Sequence, residues 1–121
     1  MTLEILAVDD SRTMRDMIRL ALLPDGFTVH TADDGVHGIE VLEGLKLDAI
    51  ITDINMPRMD GFGFIDAVRG QEHHRSTPIL VLTTEAAPEL KERARAAGAT
   101  GWIVKPFDPT KLVKALYMVA G

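Results

Sequence analysis

Cysteine is absent from the 121 residues, which excludes disulfides and thiolate-ligated metal sites. No apolar stretch approaches the ~18 residues needed to span a bilayer, so no membrane-crossing segment is expected. A cationic excess is also missing: 13 Lys and Arg stand against 18 Asp and Glu, a formal net charge of -5. A domain of that sign has little to offer the phosphates of a nucleic acid. No charged leader precedes the first strand-like segment at Glu4, and no tract is repetitive or low in complexity. These absences lead to the expectation of a soluble, cytoplasmic, monomeric protein that binds neither membrane nor nucleic acid directly.

The remaining composition is ordinary for a globular chain, 46% hydrophobic and 26% charged. The length suits one domain, residues 1–121, able to bury roughly two thirds of its unfolded surface. Five apolar runs, at 4–8, 28–32, 49–52, 79–82 and 101–104, read as buried strands. Helical spacing fills the intervals. Met14, Met17, Ile18, Ala21 and Leu22 form one inner face, with Asp10 or Ser11 as the N-cap. Asp33 or Asp34 caps a second helix ending near Gly44, and Phe64, Ile65 and Val68 face inward from a third. Leu90, Ala94 and Ala97 mark a fourth, closed by Gly98. Leu112, Leu116 and Val119 mark a fifth, capped by Asp108 with Pro109 at its first position. Segments 55–61 and 70–77 read as loops. Strands alternating with helices predict an α/β fold with a parallel sheet.

Four of the apolar runs end in a polar group of distinct chemistry: Asp9 and Asp10, Asp53, Thr83, and Lys105. The carboxyl ends of parallel strands open at one edge, which is where such sheets bind ligands. Three aspartates, a hydroxyl and an ammonium are therefore expected at one spot. Crowded carboxylates repel one another unless they share protons or hold a cation, and the lysine implies an additional anionic guest. A divalent metal together with a phosphoryl group satisfies both conditions.

The order Asp9-Asp10, then Asp53-Ile54-Asn55-Met56-Pro57-Arg58-Met59-Asp60-Gly61, then Thr83-Thr84-Glu85-Ala86, then Trp102-Ile103-Val104-Lys105-Pro106-Phe107 resembles the receiver domain of two-component response regulators. The likeness is strongest to stand-alone chemotaxis regulators of the CheY kind, and it covers the whole chain. It implies a flavodoxin-like (βα)5 doubly wound sheet of strand order 2-1-3-4-5. CheY is itself a standard example of that order, so the expectation comes with the likeness. By resemblance Asp53 is the phosphoryl acceptor, and Asp10, Asp53 and the Asn55 backbone carbonyl ligate Mg2+, with Asp9 acting through water. Lys105 contacts the phosphoryl oxygens, Thr83 and Trp102 form the switch, and Asn55 and Glu85 tune the lifetime of the phosphate. Tryptophan departs from the tyrosine, phenylalanine or histidine more usual at that place. The implied partners are a CheA-like histidine kinase upstream and a flagellar motor switch protein downstream, met by the face of helix four, strand five and helix five. A phosphate sink or relay receiver without motor output is the alternative.

Other functions fit less well. A haloacid-dehalogenase-type phosphatase also uses a strand-end aspartate with magnesium, but needs a second acid two residues on, where Asn55 cannot exchange a proton. A flavodoxin-like electron carrier would need small residues and N–H donors where Asp9 and Asp10 stand. An interaction module that is never phosphorylated would have no need of every chemical position being filled. His73-His74 reads as a solvated loop, and Arg12, Arg15 and Arg19 as the wet face of the first helix, where a kinase could dock. Gly61-Phe62-Gly63 is only half of a dinucleotide fingerprint.

Overall fold

The computed structural model describes residues 2–120; the ends of the expected 1–121 domain, Met1 and Gly121, lie outside the described residues. Five strands, β1 (Glu4–Val8), β2 (Thr28–Ala32), β3 (Ala49–Thr52), β4 (Ile79–Thr83) and β5 (Gly101–Val104), alternate with five helices, α1 (Arg12–Leu22), α2 (Gly35–Leu42), α3 (Gly61–Arg69), α4 (Pro88–Ala97) and α5 (Pro109–Ala120). All strand pairs are parallel and the order is β2-β1-β3-β4-β5. Among the described residues no helix is long and apolar enough to cross a membrane.

Alternation along each strand divides the core between the two faces of the sheet. Leu6 and Val8 of β1 face one way, where Ile50, Ile79 and Val81 meet Leu42 of α2, Phe62, Phe64, Ile65 and Val68 of α3, and Ala94 of α4. Ile5 and Ala7 face the other way, where Ile51, Leu80 and Leu82 meet Ile18 and Leu22 of α1 and Leu112 and Leu116 of α5. Burial on both sides explains why β1, β3 and β4 read as nearly continuous apolar runs. The edge strands differ from expectation. Most of β2 is half-buried or exposed, and no residue of β5 is fully buried, because each lies at a margin of the sheet with one strand neighbour.

The helix caps follow local chemistry. Ser11 accepts from the Met14 N–H at 3.1 Å, Asp34 from His37 at 2.9 Å, and Asp60 from Gly63 at 2.9 Å. Asp108 accepts from Thr110 at 2.8 Å, with Pro109 opening α5 as expected. Met17, expected on the inner face of α1, is 43% exposed. It stands one residue, about 100° of helix rotation, from the fully buried Ile18, at the flank of the stripe.

Two further expectations are corrected in the 70–77 segment. It contains a short helical turn, Glu72–His74, and His74 is buried while His73 is exposed. His74 Nδ1 lies 3.2 Å from Thr77 Oγ1, so this half of the pair is a structural group and not solvated loop. Arg69 organises the same region. Its guanidinium donates to the Gly98 carbonyl at 2.8 Å and 3.2 Å, to the His74 carbonyl at 2.8 Å and to the Thr77 carbonyl at 2.7 Å. One side chain thereby ties the end of α3 to the end of α4 and to the loop entering β4.

Burial, with a smaller push from the neighbouring His73, holds the His74 imidazole below its usual pKa, against an opposing backbone contact with Leu42. The unfolded chain then takes up the extra proton more readily than the native one. Stability is full above the ordinary imidazole pKa of about 6.5 and falls as pH drops through it. In urea denaturation the parent should lose stability between pH 7.5 and pH 5.5 more steeply than His74→Gln. Equal slopes would remove His74 as a source of the pH dependence.

Candidate functional site

The registers of β1, β3 and β4 bring the site together. Val8 pairs with Thr52 and Thr83 with Val104, so the residues that follow leave the sheet side by side. Three backbone bonds extend the ladders by one step: Asp9 N–H to Ala32 at 3.1 Å, Asp53 N–H to Val8 at 3.0 Å, and Lys105 N–H to Thr83 at 2.8 Å. Each site residue is therefore fixed by its main chain before its side chain makes any contact.

Lys105 Nζ donates to Asp9 Oδ2 and to Asp53 Oδ2, each at 2.8 Å. The second oxygen of each carboxylate takes a backbone N–H: Ser11 to Asp9 Oδ1 at 2.9 Å and Ile54 to Asp53 Oδ1 at 2.6 Å. Asp9 is 1% and Asp53 8% exposed, and Asp10 is exposed at the rim. Burial raises the Asp9 carboxyl above its usual range even though the hydrogen bonds from Lys105 and Ser11 and the lysine charge oppose the shift; Asp53's negative charge adds to it. For Lys105, burial works against the charge, but hydrogen bonds to Asp53 and Asp9 and their negative charges prevail, so its pKa is raised. The ammonium stays protonated.

Asp9, Asp10 and Asp53 can each turn one oxygen to within 4.8 Å of the others. This all-oxygen donor set suits a hard divalent cation such as Mg2+, whereas a softer transition metal would favour imidazole or thiolate. The segment after β3 must pass very close to Asp53, and Gly61 makes that possible: a Cβ there would stand 2.2 Å from the Asp53 carbonyl oxygen. Any side chain at Gly61 would push the acceptor segment out of place.

On the β4 side, Thr83 is completely buried and its Oγ1 accepts from the Glu85 N–H at 3.3 Å. Glu85 links two more of the residues singled out in the sequence. Its carboxylate accepts from Asn55 Nδ2 at 3.0 Å and its carbonyl from Trp102 Nε1 at 3.0 Å. The half-buried indole is thus anchored to the β4–α4 loop by its N–H.

Of the residues expected here, Asp9, Asp10, Asp53, Asn55, Thr83, Glu85 and Lys105 lie at the carboxyl edge of the sheet or on the loops leaving it, whereas Trp102 is the second residue of β5, beside Val81, and reaches that edge only through its indole N–H to Glu85. Two arginines were missed. Arg15, expected to be merely wet, is half-buried and donates from Nη1 to the Asp9 carbonyl at 2.7 Å, bringing positive charge to the acidic corner. Arg58 pairs with Asp34 at 2.6 Å and 2.9 Å. One clue to it lay in the chain, an arginine beside a proline in the loop that follows an acidic strand end.

Residues 5–117 match the family described as response regulator receiver domain. The chain is 41% identical over 106 residues to the chemotaxis protein CheY of Pseudomonas aeruginosa, covering 87% of this chain and 86% of that protein. It superposes on the chemotaxis response regulator CheY4 of Vibrio cholerae with TM-score 0.92 and 47% identity, over 98% of this chain and 99% of that one. It also superposes, with TM-score 0.92 and 30% identity over 100% of this chain and 99% of the other, on the receiver domain of a Pseudomonas aeruginosa sensor histidine kinase. That structure has a magnesium ion coordinated in its active-site cleft.

Because its folded carboxyl sits above the unfolded value, the native state takes up the Asp9 proton more readily than the unfolded chain does. The ionised group opposes folding once pH rises past both values, and the penalty fades below the ordinary carboxylate pKa of about 3.9. Without metal, Asp9→Asn should raise the urea midpoint at pH 7 and give no gain near pH 3.5. A lower midpoint at pH 7 would mean that the bond to Lys105 outweighs the cost of burial.

Proposed function

The chain belongs to the response regulator receiver family and is of the chemotaxis CheY type, a signalling protein and not an enzyme with a turned-over substrate; from that premise we propose that Asp53 is its phosphoryl acceptor and a histidine kinase its donor. The observation that carries the reading is the Lys105 ammonium set 2.8 Å from both Asp53 and Asp9. It holds the acceptor carboxylate beside a fixed positive charge, with the Ile54 N–H fixing the other oxygen.

An Asp53 oxygen attacks the phosphorus of the kinase's phosphohistidine. A P–O bond forms as the P–N bond breaks, and the released imidazole takes up a proton. Lys105 turns from the carboxylates to the incoming phosphoryl oxygens as charge builds on them. Asp10, Asp53 and the Asn55 carbonyl would hold Mg2+, with Asp9 acting through water; when bound, the ion supplies charge neutralisation of the carboxylates and of the phosphoryl oxygens. Hydrolysis is the reverse in kind: water attacks phosphorus, the bond to Asp53 breaks, and inorganic phosphate leaves. Asn55 and Glu85, bonded to each other at the rim, control that approach.

Thr83 reports the change. Its hydroxyl donates to the new phosphoryl group, and because the same oxygen accepts from the Glu85 N–H, its movement is passed to the β4–α4 loop. Glu85 also holds the indole of Trp102, so the loop and the ring shift together. Full conversion from 1:99 to 99:1 needs about 5.5 kcal/mol of differential stabilisation, within reach of a few charge-assisted hydrogen bonds. The readout face is α4, β5 and α5, where Trp102 lines a shallow groove of about 220 Å³ with Lys91, Ala94, Arg95 and Thr100. Residues 1–121 then work as one cytoplasmic, monomeric receiver whose partner on that face is a flagellar motor switch protein.

Acetyl phosphate with Mg2+ should label the parent and leave Asp53→Asn unlabelled; label persisting in Asp53→Asn refutes the acceptor assignment. Beryllofluoride with Mg2+ should change the emission of Trp102, the sole tryptophan, and an unaltered spectrum would take the indole out of the switch. Asn55→Ala and Glu85→Ala should each alter the decay rate of the phosphorylated protein, and decay matching the parent would count against their assigned role.

A further inference from the structure

We propose that Arg58 is a positioning residue for the phosphoryl site, a strap that holds the 55–60 segment against α2 and thereby sets Asn55; this rests on the reading of Asp53 as acceptor with Mg2+ beside it. The segment leaves β3 at Asp53 and enters α3 at Gly61, and its two ends are fixed. Asp53 is gripped by Lys105 and the Ile54 N–H, and the Gly61 N–H donates to the Ile54 carbonyl at 2.8 Å. Between these ends most of the residues are exposed, and the only bond within the segment itself runs from the Met59 N–H to the Pro57 carbonyl at 2.7 Å.

Met56 and Met59 pack against the core, and polar attachments to other elements lie on two sides. On one side is the exposed bond from Asn55 to Glu85. On the other, Arg58 Nε and Nη2 grip the two oxygens of Asp34 at 2.6 Å and 2.9 Å, and the Gly35 N–H reaches the Met59 carbonyl at 3.3 Å. The second attachment is the built one. Asp34 is 4% exposed and also caps α2 through the His37 N–H, so it offers Arg58 an immobile anchor. Gly35 admits the loop because a Cβ there would stand 2.7 Å from Met59. Arg58 itself has φ 64, a left-handed backbone that residues other than glycine adopt only when their surroundings hold them.

A loop slung between these anchors presents the Asn55 carbonyl in one place, and freeing the Asp34 side lets that carbonyl wander. The strap touches neither the phosphoryl group nor the acceptor; it acts through Asn55.

The test uses the full chain and Mg2+ alone. Calorimetric titration with MgCl2 should show binding weakened on the order of tenfold in Arg58→Ala. Amide hydrogen exchange over residues 55–60 should speed up in the same variant without metal. Arg58→Lys should not restore affinity, since an ammonium cannot form the two-pronged grip. Asp34→Asn, which keeps the cap, should lose as much affinity as Arg58→Ala, and the double variant should lose no more than either alone. Mg2+ affinity equal to the parent's in Arg58→Ala, or full rescue by Arg58→Lys, overturns the strap and leaves the acceptor reading intact. A parent that binds no Mg2+ overturns both.

Discussion

One ammonium between two buried carboxylates is the interaction on which the rest of the site depends. Lys105 reaches Asp9 and Asp53 at the same distance, 2.8 Å, and without it two negative groups would face each other in a pocket largely closed to water. The pair is only partly relieved: the Asp9 carboxyl remains above its ordinary range. Negative charge crowded in this way favours an added cation and keeps the ammonium where it is.

The fold exists to make that geometry cheap in conformational freedom. Burial on both faces locks β1, β3 and β4 in register, and the ladder bonds of Asp9, Asp53 and Lys105 carry the lock one residue beyond each strand. Preorganisation of this kind is what electrostatic assistance to phosphoryl transfer requires, since dipoles and charges that are already aimed need no rearrangement when the reacting group enters. Glu85 links this edge to β5, since it is bonded both to Asn55 at the rim and to the indole of Trp102.

Much of this was legible in the chain. The central strands announced themselves because burial on two sides demands an unbroken apolar run, and the meeting of Asp9, Asp53, Thr83 and Lys105 at one edge could be read because each ends such a run. The edge strands β2 and β5 were read as buried when they are half covered, since an apolar run does not say whether neighbours exist on both sides. Met17 was misplaced because helical spacing tolerates an error of one residue at the flank of a stripe. Arg69 and Arg58 escaped because their partners are set by tertiary packing: Arg69 meets Gly98 across 29 positions and Arg58 meets Asp34 across 24. No local pattern encodes such pairings.

The carbonyl cage around Arg69 bears on how α4 can move. Gly98, which closes that helix, is held by two bonds from a guanidinium that also grips the loop before β4, while the opposite end begins at Pro88 without a side-chain cap. The helix is moored at its stern and loose at its bow. A displacement of the β4–α4 loop would therefore meet less restraint in the first turn of α4 than in its last.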